Sequence, residues 1–291
     1  MQRELGINFS GDAEPEFVKR CASAAEGAGF THLWAGEVRH QLHPFVLLPL
    51  LAHASRSAAV GTCIISALAS PCTRIRAAFA ELRSAYGDRF IAGIAPGDLR
   101  SLRREGVPTA RVLERMRACI EHLSPEVPVY LGASGPKMIE LGSRLASGVL
   151  LNYGNPEHLR WALEHVKGRA VTVSVAPALL LPDRRNLGEL RAACAVVAAG
   201  ANPAFAAHAG IEEEVAEIAA LVERGRWGML KRHESFLLEN FAIAGTLEEL
   251  AERVEELYSL GASQVVLAPP FFKGGEKVIK RAGERLCACS R

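Results

Sequence analysis

Short apolar runs alternate with longer segments of helical periodicity through almost the whole 291-residue chain, and this alternation constrains the fold more than any other feature. The runs are "LGINFS", "THLWAG", "AAVGTCIIS", "RFIAGIAP", "PVYLGAS", "SGVLLNYG", "AVTVSVAPALLLP" and "SQVVLAPP". Between the first two, Phe17, Val18, Cys21 and Ala25 recur at helical spacing. Strands this apolar, each followed by a helix, belong to a parallel sheet covered on its outside. Eight such units predict a (β/α)₈ TIM barrel forming one domain over residues 1–291. A mostly helical stretch over about residues 185–241 reads as an insertion near the seventh strand. The alternative is an open doubly wound sheet. It lacks support, because no GxGxxG opens the first β–α turn.

Several boundaries carry their own chemistry. Ser70 before Pro71, and Asn155 before Pro156, read as an N-cap followed by proline at the first helical position. Thr246 and Glu249 have capping-box spacing, and Gly261 suits the stop of that helix.

Charge excludes some function classes. The 34 basic and 32 acidic side chains leave a net charge of +2, no electrostatic footprint for nucleic acid or an anionic membrane. The longest apolar runs, Phe45 to Ala54 and Val171 to Leu181, fall well short of the roughly 20 residues that span a bilayer. "MQRELGINFSGD" carries no secretory signal, so a soluble, cytoplasmic protein is expected. The seven cysteines are scattered and form no CxxC pair, so free thiols are expected, with disulfides reserved for a hyperthermophilic source.

Barrel sites lie at the C-terminal ends of the strands. Asn8, Ser10 and Asp12 follow the first strand, and Gly36, Glu37, Arg39, His40 and His43 the second. Pro96, Gly97 and Asp98 follow the fourth, and Asn152, Tyr153 and Asn155 the sixth. Gly132, Ala133, Ser134 and Gly135 precede a helix starting at Pro136. Small residues at a helix N-terminus suit a phosphate, and Lys137 would add a charge; the other reading is an ordinary tight turn. His40 and His43 beside Glu37 do not make a metal set, because Pro44 keeps both from one helix. No nucleophile elbow, Walker loop or HExxH motif is present. Asp98 has a structural alternative as the N-cap of the next segment.

"GIAPGD", "VYLGASGPKMIELGSRLASGVLLNYGNPEHL" and "FAIAGTLEELAERVEELYSLGASQVVLAPP", in that order, resemble the F420-dependent methylenetetrahydromethanopterin reductases within the bacterial luciferase-like superfamily. The resemblance implies a homodimer or homotetramer that binds the deazaflavin coenzyme F420 at the barrel mouth, with FMN as the alternative. It implies hydride transfer between the deazaflavin and a one-carbon unit on a tetrahydropterin, a small-molecule substrate. It also implies a non-proline cis peptide near Cys63 and Ile64, with Cys63 where the family often has glycine. Cys63, Ile64, Gly97, Gly132, Ala133, Ser134, Gly135, Lys137 and Asn152 become the expected coenzyme contacts. Asn8 stands where the family's reductases have a glutamate, and Gly36-Glu37 where it tends to have Asp-His. Asp98 or Glu37 is then expected to cover the lost acid, with Asn8 beside them. The remaining alternatives are an F420- or FMN-dependent oxidoreductase of another substrate, and a silent coenzyme-binding paralogue.

Overall fold

The computed structural model describes residues 3–37, 43–181 and 185–287. Its strands are β1 (Glu4–Phe9), β2 (His32–Ala35), β3 (Ala59–Thr62), β4 (Ile65–Ser66), β5 (Phe90–Ala95), β6 (Val129–Ala133), β7 (Gly148–Leu151), β8 (Val171–Leu180), β9 (Ile243–Gly245) and β10 (Gln264–Ala268). All pairings are parallel, in the order β10-β1-β2-β3-β5-β6-β7-β8, and β10 also pairs with β8. The sheet therefore closes, giving the expected barrel.

Helices cover its outside: α1 (Pro15–Gly27), α2 (Pro44–Ala54), α3 (Cys72–Tyr86), α4 (Leu99–Arg104), α5 (Val112–Leu123), α6 (Pro136–Leu145) and α7 (Pro156–Leu163). Between β8 and β9 come α8 (Leu187–Ala199), α9 (Pro203–Ala209), α10 (Glu212–Glu223) and α11 (Glu234–Phe241); α12 (Leu247–Leu260) and α13 (Glu276–Leu286) finish the chain. Among the described residues no single helix is long and apolar enough to cross a membrane.

Strand alternation divides the core in two. Leu5, Ile7 and Phe9 face outward into the layer under the helices. Trp34, Ile91, Tyr130, Leu150, Val173, Val175, Val266 and Ala268 fill the barrel itself. Two large rings fit inside because glycine stands beside each. Trp34 pairs in register with Gly61, where a Cβ would come within 2.5 Å of its ring. Tyr130 pairs with Gly148, where a Cβ would lie 2.6 Å away.

Four features differ from the sequence reading. The third strand is two segments, β3 and β4, interrupted at Cys63 and Ile64. A further strand, β9, follows the helical insertion. The ten-residue β8 outruns the barrel, and β9 supplies backbone partners for its second half, Ala178 to Leu180. Helix α3 begins at Cys72, with Pro71 at the cap and no side-chain cap bond, so Ser70 is not the N-cap. Its hydroxyl lies one position too early to reach the first free N–H groups. Cys72 and Cys119 form a disulfide between α3 and α5, where free thiols were expected. The helical spacing of the two segments hid this contact, since it depends on how α3 and α5 pack. The Asn155 cap, the Thr246–Glu249 capping box and the left-handed Gly261 stop are present as read.

Candidate active site

At the C-terminal end of the barrel interior, Asn8, Gly36, Cys63 and Ile64 converge. Asn8 ends the inward face of β1 and is 6% exposed. Its Nδ2 donates to the Cys63 carbonyl over 3.4 Å, while its buried Oδ1 has no partner. Gly36 lies against both groups, and a Cβ there would stand 3.3 Å from the Cys63 oxygen and 3.6 Å from Asn8 Oδ1. The Cys63–Ile64 peptide bond is cis, where the resemblance implied one. Cys63 and Ile64 pack onto the barrel-filling cluster yet remain partly exposed. Burial pushes the Cys63 thiol up to about 12, so it is neutral near pH 7 and contributes contact rather than nucleophilicity.

The two carboxylates expected to replace the missing acid are engaged as acceptors. Glu37 Oε2 takes the Ser66 backbone N–H at 2.6 Å, and its Oε1 lies 3.9 Å from His43 Nε2. His43 itself caps α2, accepting from the Phe45 N–H; His40 and Arg39 fall outside the described residues. Asp98 is the N-cap of α4 and is exposed, accepting from the Arg100 N–H at 3.2 Å and from the Ser101 hydroxyl at 2.5 Å. Although partial burial alone would raise its pKa, those bonds and Arg100 hold it below the usual carboxylate value. Asp98 is therefore a poor proton donor near neutrality, and the capping alternative describes it better. Gly97 adopts φ +86°, and a Cβ there would stand 2.6 Å from Ser66 Oγ. Glycine is needed on both counts.

Gly132 and Ala133, read from the sequence as loop, end strand β6, and only Ser134 and Gly135 link it to α6, whose first N–H groups lack a side-chain cap. Gly132 packs on Ala95 and Ile64, so this strand end adjoins the Cys63–Ile64 segment. Ala133 is buried outward in the layer beneath the helices. Tyr153, placed after the sixth strand by the sequence reading but given no role, and Ser174 and Asn202, which it did not name, organise this connection. Tyr153 donates its hydroxyl to the Ser134 carbonyl at 2.8 Å, and Ser174 Oγ donates to the Tyr153 carbonyl at 2.6 Å. Asn202, the N-cap of α9, lies over Gly135: a Cβ on Gly135 would meet its Nδ2 at 2.3 Å. No local pattern announces a contact between residues so far apart. Lys137 is exposed and lines a groove between α5 and α6 with Leu113, Arg117 and Glu140. The charge expected over the loop therefore belongs to the barrel's outer side. Asn152 is exposed and continues the inward face of β7 beyond Leu150, toward the mouth.

The arrangement has an uncharged platform, an orphaned amide acceptor, and a helix start with free N–H groups. Among the described residues no His, Cys, Asp or Glu cluster has the makings of a metal set. Such a mouth can hold a flat, phosphate-bearing carrier of reducing equivalents, and among its described residues it offers no activated nucleophile.

Known proteins agree in fold and extent. The chain is 25% identical to the 5,10-methylenetetrahydromethanopterin reductase of Archaeoglobus fulgidus, over 97% of this chain and 98% of that one. Among solved structures, the coenzyme F420-dependent tetrahydromethanopterin reductase from Methanopyrus kandleri superposes with a TM-score of 0.85 at 20% identity, covering all of both chains. An F420-dependent secondary alcohol dehydrogenase in complex with an F420-acetone adduct superposes at 0.76 with 15% identity, again over both whole chains. The family model for luciferase-like monooxygenases matches residues 5–125 and 120–264. The chain belongs to the luciferase-like monooxygenase family.

Proposed function

We propose that this protein is a coenzyme F420-dependent oxidoreductase that acts on a one-carbon unit carried by a tetrahydropterin, as 5,10-methylenetetrahydromethanopterin reductases do. One observation carries the reading. The side chains that converge on the end of the barrel interior, Asn8, Cys63 and Ile64, include no ionised acid, base or nucleophile. Reactivity then has to come from a bound carrier, and the reductase relatives match this chain from end to end.

The deazaflavin supplies a carbon centre that gives or takes hydride. The chain's own residues bind and orient. Cys63 and Ile64 offer an apolar surface against which a ring can rest. Asn8 Oδ1 offers an acceptor to a ligand N–H, reached past the bare Cα of Gly36. The uncapped N–H groups at the start of α6, just after Ser134 and Gly135, suit a phosphate, with Asn202 Nδ2 beside Gly135 and Asn152 at the rim. Glu37 is engaged by the Ser66 N–H and Asp98 is held below the usual carboxylate value as the α4 cap, which disfavours Asp98 as the source of the proton that opening a methylene bridge requires. A homodimer or homotetramer in the cytoplasm fits this assignment.

One specific observation favours a second reading within the family. Asn8 is an amide, and among the described residues the nearby carboxylates Glu37 and Asp98 are engaged elsewhere, which suits a hydride acceptor that needs no protonation by the protein. Titrating purified protein with F420 and with FMN, read by absorbance and fluorescence, tests the coenzyme assignment. Oxidation of reduced F420 by methylenetetrahydromethanopterin then tests the substrate. Binding of FMN alone would overturn the coenzyme; F420 binding without turnover would favour the second reading.

A further inference from the structure

We propose that Glu37 and Ser66 form a brace that holds the Cys63–Ile64 platform against the Pro96–Gly97 loop, making Glu37 a positioning residue rather than a proton-transfer group. The inference rests on the coenzyme reading above only for what the platform carries.

The bonds close around a small segment. The Glu37 N–H donates to the Ile64 carbonyl at 3.1 Å, and Glu37 Oε2 accepts from the Ser66 N–H at 2.6 Å. One residue therefore grips the platform segment on both sides of Ile65. The Cys63 N–H donates to the Ala35 carbonyl at 2.8 Å, and Asn8 Nδ2 donates to the Cys63 carbonyl. Ser66, 6% exposed, has every polar group in use. Its Oγ donates to the Pro96 carbonyl at 2.7 Å and accepts from the Ala69 N–H at 3.2 Å. Gly97, bare of a side chain, packs directly on that hydroxyl. Three loops, those after β2, β4 and β5, thus meet at one serine.

The chemistry of the bonds decides Glu37's role. A carboxylate accepting a backbone N–H at this distance makes a charge-assisted bond, stronger than a neutral one. The two oxygens of Glu37 are already turned to the Ser66 N–H and toward His43 Nε2, 3.9 Å away. A side chain so engaged positions the platform rather than supplying a proton. Glutamine keeps an acceptor oxygen and loses the titratable proton, so it separates the two roles.

The test compares Glu37→Gln, Glu37→Ala and Ser66→Ala in the full-length protein. Residue-resolved amide hydrogen exchange reads the brace without any coenzyme. The Ser66 amide is expected to exchange at least tenfold faster in E37A and within threefold of the parent rate in E37Q. In S66A the Ala69 amide is expected to exchange faster while the amide at position 66 stays protected. Unchanged exchange of the Ser66 amide in E37A overturns the brace. F420 titration then reads positioning: E37A should weaken binding at least tenfold and alter the bound coenzyme's absorbance, and E37Q should restore both. Equal loss in E37A and E37Q, or disappearance of one limb of the pH–rate profile in E37Q, overturns the positioning role in favour of proton transfer. Failure of the parent to bind F420 counts against the coenzyme reading, and the exchange rates still decide the brace.

Discussion

Asn8 and Cys63 are joined by one hydrogen bond that uses only half of an amide: Nδ2 reaches the Cys63 carbonyl, and Oδ1 is left buried without a partner. A carboxylic acid placed here would be desolvated and would face the same carbonyl oxygen. Both effects favour its protonated form and suit it to general-acid work near neutral pH. Asn8→Glu is expected to raise the rate of methylenetetrahydromethanopterin reduction by reduced F420 at least tenfold, with Asn8→Gln giving no gain. Steady-state rates with F420 binding measured in parallel check this. Retained binding with no gain in rate would mean that a missing acid is not what limits the reaction.

Gly135 and Asn202 cannot both keep their places if a methyl group is added between them. A Cβ on Gly135 would stand 2.3 Å from Asn202 Nδ2, whose Oδ1 also caps α9 by accepting from the Ala204 N–H at 3.0 Å. Backbone conformation is no obstacle, since Gly135 has φ −124°. Gly135→Ala is expected to displace the cap, costing about 1 kcal/mol, and to weaken F420 binding at least tenfold. Adding Asn202→Gly removes the clash at little cost to the cap, so stability by urea denaturation should return while binding remains impaired.

The barrel and its loops were legible for different reasons. Apolar runs and their caps report local demands, so the eight β–α units, the Asn155 cap and the Thr246–Glu249 box could be read directly. The cis bond at Cys63–Ile64 came from family likeness, because nothing in "GTCIIS" itself specifies it. Strand β9 and the Cys72–Cys119 bridge answer needs created by packing, an overlong β8 and two adjacent helices, which no single segment contains. Asp98 shows the limit at the site. Its residue type permitted both acid and cap, and only the positions of Arg100 and Ser101 decide between them.

Two buried imidazoles predict how stability depends on pH. His32 stacks on Trp34 inside the barrel, and His158 packs edge-on against Phe205. Burial pushes each down to about 4. The unfolded chain, with imidazoles near 6.5, therefore takes up these protons first. Their stabilising contribution is complete above about pH 6.5 and is lost as pH falls toward 4. The loss is about 2 kcal/mol per ring between pH 7 and pH 5. Glu4, raised by burial, acts in the opposite sense as pH falls through its own range. Urea denaturation at the two pH values checks the sum, and His32→Gln is expected to remove about half of it.

Cys72 begins α3 and Cys119 lies buried on α5, with Cα atoms 5.7 Å apart and a sequence separation of 47. Closing a loop of that length in the unfolded chain removes enough conformational freedom to stabilise the fold by about 4 kcal/mol on the chain-entropy account. The bridge also ties the helix that leaves the Cys63–Ser66 segment to the helix that enters β6. Replacing both cysteines by serine is expected to lower stability by about 2–4 kcal/mol. Reductant should lower the parent's urea midpoint by more than the double variant's, since Cys21, Cys63 and Cys194 are free thiols. A parent midpoint that ignores reductant under unfolding conditions would show that the bridge contributes nothing to stability.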